Sequence, residues 1–166
     1  MALDHLPSVD DGVHHAAAIE PPEISDSELR FKFVSFYLGD KHYAIPARSV
    51  AEVTGQLSPT PLPDSPRSLL GIAPHRGDIL AVVDLGASTG ASDPAKRKAV
   101  VLRNAGEKVE LGIAFNVDRI GEMLQVAGHE LTASASGDSL AEFETRAEGH
   151  PVFVIEPSRI ADLASL

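Results

Sequence analysis

Five consecutive apolar residues, Ile79-Leu80-Ala81-Val82-Val83, followed by Asp84-Leu85, restrict this chain more than any other stretch. The run is too short for a helix and rich in β-branched residues, so it reads as a strand covered on both faces. Ahead of it, Pro74-His75-Arg76-Gly77-Asp78 forms a turn, with Gly77 free to take φ > 0 and Pro74 fixing φ. One arginine therefore stands at the tip of a rigid turn that feeds a core strand. That placement offers a fixed cation to a partner.

Other strands recur at short intervals. Arg30 to Leu38 is aromatic and β-branched, Gly39-Asp40-Lys41 turns it, and His42 to Ile45 returns. Pro46 suits the start of a single helical turn through Ser49. Val50 to Thr54 then alternates, with Val50 and Glu52 on one face and Ala51 and Val53 on the other. Leu57 to Pro66 is a loop stiffened by Pro59, Pro61, Pro63 and Pro66, and Ser65-Pro66 is expected to open a short helix ending at Gly71. Gly86 to Arg97 is a loop.

The second half repeats the first. Lys98 to Asn104 and Lys108 to Val117 are strands about a turn at 105–107. Val109, Leu111, Ile113, Phe115 and Val117 point one way along the second of these. Val117-Asp118, a turn and Ile120-Gly121-Glu122-Met123 then echo Ile45-Pro46, a turn and Val50-Ala51-Glu52-Val53. This pseudo-repeat of hairpin, turn and strand suggests two similar small barrels. Ala127 to Gly137 is small, polar and flexible. Phe143 to Ala147 and Pro151 to Ile155 form a last hairpin about Glu148-Gly149-His150, and Pro157 opens a terminal helix carrying Ile160 and Leu163. The fold class is all-β, a barrel assembly with few short helices.

Residues 1–29 read as a separate, disordered acidic tail. They hold seven acidic residues and no Lys or Arg, broken by Pro7, Gly12, Pro21 and Pro22. The whole chain carries a net charge of −10, which argues against a nucleic-acid backbone or an anionic membrane surface as partner. Cysteine is absent, so disulfides, thiol catalysis and thiolate metal sites are excluded, as suits a reducing cytoplasm. No apolar run approaches a membrane helix, and the N-terminus lacks the pattern of a secretion signal. The expectation is a soluble cytoplasmic protein.

Catalytic motifs are not found. There is no phosphate loop, dinucleotide fingerprint or nucleophile elbow. His42, His75, His129 and His150 lie on separate turns and read as solvated, and His14-His15 as a solvated pair, so no metal or other cofactor is expected. Glu52 and Glu122 could be imagined as an acid–base couple, but a glutamate alternating with core residues is ordinarily a solvated strand position.

The stretch Gly71 to Leu85, G-I-A-P-H-R-G-D-I-L-A-V-V-D-L, resembles the best-marked motif of the CheW family of bacterial chemosensory adaptors, G-V-x-N-(L/V/I)-R-G-x-(I/L)-(V/L)-P-(I/V)-(V/I)-D-L. The chain keeps Gly71, Arg76, Gly77, Ile79, Asp84 and Leu85, and departs at Pro74, His75 and Ala81. The resemblance runs more weakly from about Arg30 to about Ala164, marking residues 30–164 as the domain. It implies two SH3-like five-stranded barrels packed on a shared core, and a non-catalytic adaptor joining chemoreceptors to the histidine kinase CheA. The groove between the barrels would take the receptor's helical-hairpin tip, and another surface would dock the kinase's regulatory domain. Family positions for partner binding fall on Arg76, Gly77, Glu52, Val50 and, more loosely, Val100. The same fold also serves pilus-motility adaptors, kinase regulatory domains and self-associating ring scaffolds, which stand as alternatives. An enzyme of unrecognised type is a further one.

Overall fold

The computed structural model describes residues 29–85, 97–103, 111–138 and 140–164. The acidic tail before Leu29, most of the loop read at 86–97, the turn at 105–107 and the start of the strand read at 108–117 lie outside the described residues. Eleven strands are present among those described: β1 (Arg30–Leu38), β2 (Lys41–Pro46), β3 (Val50–Gly55), β4 (Leu69–His75), β5 (Asp78–Val83), β6 (Lys98–Leu102), β7 (Gly112–Val117), β8 (Arg119–Ala127), β9 (Thr132–Ala133), β10 (Ala141–Ala147) and β11 (His150–Ile155). Short 3-10 turns stand at Ala47–Ser49 and Gly128–Glu130, and one α-helix, α1 (Pro157–Leu163), follows β11.

The strands form two sheets, ordered β8-β1-β2-β11-β10-β9 and β3-β6-β7-β5-β4. Replacing β1, β2, β3, β4 and β5 by β6, β7, β8, β10 and β11 converts one order into the other, so the internal repeat extends over the whole fold. The isolated bridge Thr60↔Ile72 occupies the place of β9 in the other half. The halves are not themselves the barrels. Each sheet takes a hairpin from one half and its other strands from the other half, four (β8, β9, β10 and β11) in the first sheet and three (β3, β4 and β5) in the second. The joins between them include the parallel pairs β11·β2 and β5·β7. Only those long-range pairings bring the sheets to six and five strands.

Three apolar clusters follow from period-two alternation. Phe36, Tyr43, Ile45 and Ile155 from the first sheet meet Val83, Val100, Ile113 and Phe115 from the second in one shared core, which Ile160 of α1 also enters. Phe33, Ala44, Val126, Val152 and Val154 face the other side of the first sheet. Leu80, Val101 and Ala114, covered by Leu57, do the same for the second. Each sheet thus has an interior of its own and a face on the common core, which is why β5 is covered on both sides from Leu80 to Val83. Ile79, read as part of that buried run, is 50% exposed, because it pairs with Pro74 one step from the turn, beyond the cover of the core.

The second sheet is curled so that side chains from its two edges meet. Were it flat, β3 and β4 would stand roughly 19 Å apart, four strand spacings. Instead the Glu52 carboxylate on β3 lies 3.2 Å from the Arg76 guanidinium at the end of β4. Register shifts between Val50 and Glu52 and between Leu69 and Gly71 supply the bends such curling needs.

Two local expectations are corrected. No helix spans Pro66 to Gly71: the Ser65 hydroxyl donates to the Leu62 carbonyl rather than capping, and buried Leu69 already pairs with Val83 in β4. Nor is 127–137 without structure. Glu130 accepts the Ala127 N–H at 2.9 Å across a 3-10 turn, and β9 pairs with β10.

Candidate functional site

The hairpin joining β4 to β5 has only two residues in its loop, Arg76 and Gly77, between the paired His75 and Asp78. Their φ angles are 50° and 85°. Positive φ at both central positions matches the right-handed twist of the flanking strands, so this short loop holds its direction. Pro74 lies within β4 and not in the turn as read from sequence. Arg76 is a non-glycine residue in the left-handed region, and its side chain is 74% exposed.

Glu52 reaches this turn from β3. It bonds the His75 imidazole Nε2 through one carboxylate oxygen and Arg76 through the other. The expectation of a solvated Glu52 is overturned, and so is that of a solvated His75, whose side chain is mostly buried. The cause is the register shift in β3. Val50 faces Leu102, a member of the shared core, whereas Glu52 faces Val101 of the second barrel's interior. Directly paired residues share a sheet face, so Val50 and Glu52 do not lie on one face as simple alternation suggested. The result is a three-residue latch at the mouth of the barrel, with the arginine outermost.

The remaining sequence-selected positions separate. Gly77 is exposed at the loop tip beside Arg76. Val50 is half-buried against the shared core, and Val100 is fully buried within it. Val100 is covered by its neighbours and can shape a surface only from beneath. Val53, paired with Val100, is the exposed apolar residue of this edge. Alternation read with a bulge would have pointed to Val53; alternation read without one did not.

The internal repeat places a counterpart of this site in the first barrel. Glu122 occupies the place of Glu52, and the β10–β11 loop repeats the same geometry with Glu148 and Gly149 at φ 51° and 82°. There the tip carries an acid in place of a base, so it cannot latch onto Glu122. The seam holds a cavity of about 870 Å³, lined among others by Glu122, Glu148, His150, Tyr37 and His42. Arg119 lies over the Tyr37 ring at 3.5 Å, and His42 stacks on Tyr37 with ring centroids 4.1 Å apart. His42 is therefore not a solvated turn residue. Burial, and behind it the charge of Arg119, holds its pKa below the ordinary histidine value.

A depressed folded-state pKa means that the unfolded chain binds the His42 proton first. Stability from the neutral ring is present above the unfolded pKa of about 6.5 and is lost as pH falls through the folded value. The melting temperature is expected to decline from pH 7 towards pH 5 and to decline less in His42→Phe, which keeps the stack. Parallel curves for the two proteins would remove His42 as the cause.

Glu52 and Glu122 lie on different barrels, so the couple weighed for acid–base chemistry does not converge. No group of three or more histidine and carboxylate side chains suited to a metal occurs among the described residues, and no helix among them is long and apolar enough to cross a membrane. A paired-barrel scaffold that holds one cation on a stiff loop belongs to the class of protein-docking modules. Comparison with known proteins agrees. Residues 32–165 match the CheW-like domain family. The chemotaxis protein CheW of Rhizobium meliloti (strain 1021) is 27% identical over 127 residues, covering 75% of this chain and 78% of that one. The probable chemotaxis protein CheW of Rhizobium etli is 30% identical over 111 residues, 66% and 67% of the two chains. The crystal structure of the scaffolding protein TtCheW from Thermoanaerobacter tengcongensis superposes with a TM-score of 0.65 at 21% identity, over 76% of this chain and 89% of that chain, and shows the same fold. The chain belongs to the CheW-like domain family. It is a chemotaxis coupling scaffold, an adaptor.

Proposed function

We propose that this adaptor, working in the cytoplasm, couples the helical-hairpin tip of a chemoreceptor to the regulatory domain of the histidine kinase CheA, with no catalytic step of its own. The domain that does so is residues 30–164, and residues 1–29 form an appended acidic segment. The observation that carries the reading is the Glu52–His75–Arg76 latch, with Arg76 outermost and 74% exposed on a two-residue loop. Arg76 is the contact cation. Gly77 lets the loop approach a partner backbone closely, Glu52 aims the arginine, and Val50 and Val100 support the surface from the core. The same exposed edges also suit ring association with other CheW-like domains.

The test is reconstitution from the purified chain, a receptor cytoplasmic fragment and the kinase. Co-sedimentation of all three, with receptor-dependent kinase activity, is the expected result. Binding to neither partner, or turnover of a metabolite by the chain alone, would refute it. Assembly only with a pilus-motility receptor and kinase would move the adaptor to that pathway.

A further inference from the structure

The interior of the first barrel opens to the surface through a groove of about 410 Å³. Its floor is apolar: buried Phe33 and Val154 lie beneath half-buried Leu131 and Phe143, with Phe31 42% exposed at the lip. Its rim is basic. Arg30, Lys32 and Arg48 are all exposed, and among the described residues none of the three has an ion-pair partner. One acid, Glu156, stands against them. An apolar floor at a barrel mouth with a rim of three bases against one acid fits a segment that is acidic and carries a few aliphatic side chains.

Such a segment adjoins the groove. The chain enters β1 at Leu29, whose carbonyl accepts the Gly128 N–H at 3.3 Å, so residues immediately before it start from the groove's lip. Residues 1–28 contain seven acidic side chains and neither Lys nor Arg. Ile19 and Ile24 are spaced among Glu20, Glu23 and Asp26. The five steps from Ile24 to Leu29 span at most about 17 Å. A tether that short supplies an effective concentration in the millimolar range, so weak contacts suffice.

We infer that residues 19–28 occupy this groove intramolecularly, with Ile19 and Ile24 against the Phe31–Leu131–Phe143 floor and the acids facing Arg30, Lys32 and Arg48. The acidic segment is then a built-in competitor for any partner that uses the same groove.

Because the chain lacks cysteine, Ala47→Cys on the groove wall gives one attachment point for a nitroxide on the full-length protein. At low salt, amide signals of residues 19–26 should lose at least half their intensity relative to the reduced label. The loss should disappear in ~1 M salt, where the screening length falls to about 3 Å, and in the Lys32→Glu/Arg48→Glu variant, whose core signals serve as the folding control. Broadening confined to residues 27 and 28 overturns the inference, and so does broadening of residues 19–26 that persists in ~1 M salt and in the charge-reversed variant, which the short tether alone produces. So does broadening seen when label and isotope are on different molecules, which would make the occupant a second copy.

Discussion

Arg76→Ala is expected to weaken the receptor–kinase assembly about thirtyfold or more while leaving the domain folded. The stability side follows from geometry. The Arg76–Glu52 pair is 3.2 Å long but the arginine is largely in water, and such surface pairs contribute about 0–1 kcal/mol. Glu52 keeps His75 as partner after the change. Truncating a charged, hydrogen-bonded group inside an interface costs about 2–5 kcal/mol, and 2 kcal/mol is roughly thirtyfold in dissociation constant. Lysine should rescue only partly, because a point charge cannot reproduce the planar fork. Arg76→Gly is the sharper control. It relieves the positive φ of 50° and should match or exceed the wild type in melting temperature, yet assemble as poorly as the alanine variant. Melting and co-sedimentation on the same proteins decide the matter. A large fall in melting temperature for Arg76→Ala would make the residue a brace of its own barrel, and normal assembly would remove it from the interface.

Gly71→Ala is expected to be the most damaging small substitution in the fold, costing roughly 3–5 kcal/mol. Gly71 has φ +147°, and a Cβ there would lie 2.1 Å from the Thr60 carbonyl oxygen. Thr60 cannot easily withdraw, since its N–H and carbonyl bond Ile72 at 2.8 and 3.0 Å. The change is expected both to break the two bonds, at about 1 kcal/mol each, and to force strained backbone worth about 1–3 kcal/mol. For a domain of this size that corresponds to a loss of about 10 °C or more. Hydrogen exchange should show the 57–66 segment released from β4 first. A shift of only 1 or 2 °C would mean that the loop yields freely and that the glycine is not required by packing.

These two residues also show how far the chain could be read before it was folded. Arg76 and Gly77 were legible as the tip of a turn because a glycine beside a charged residue, shortly after a proline, is a local signal. That the turn is a two-residue hairpin loop was not, since the start of β4 reads as the end of a helix. Gly71 was visible as part of a family motif, but its reason was not: the atom it must avoid belongs to Thr60, eleven residues earlier. His75 looked like any turn histidine. Its partner, Glu52, comes from another strand, and nothing near either residue announces the bond. The face of Glu52 was misjudged because a bulge changes alternation without leaving a mark in the residue pattern. The mistaken helix at Pro66 had good local capping chemistry, and lost to the burial of Leu69 against its strand partner.

What the sequence determined by itself was most of the strands and hairpins, β4 and β9 excepted, the acidic character of residues 1–28 and the existence of a repeat. All of these depend on residues within about ten positions of each other, where periodicity, turn chemistry and composition act directly. Only the tertiary structure decided that the repeated halves exchange hairpins, that one barrel seam is latched while its twin with Glu148 holds a cavity, and that Val100 is inside. Each of those depends on which strands pair across the two halves. Parallel joins such as β5·β7 and β2·β11 are chosen by the collective burial of the shared core, a property that no single stretch of the chain contains.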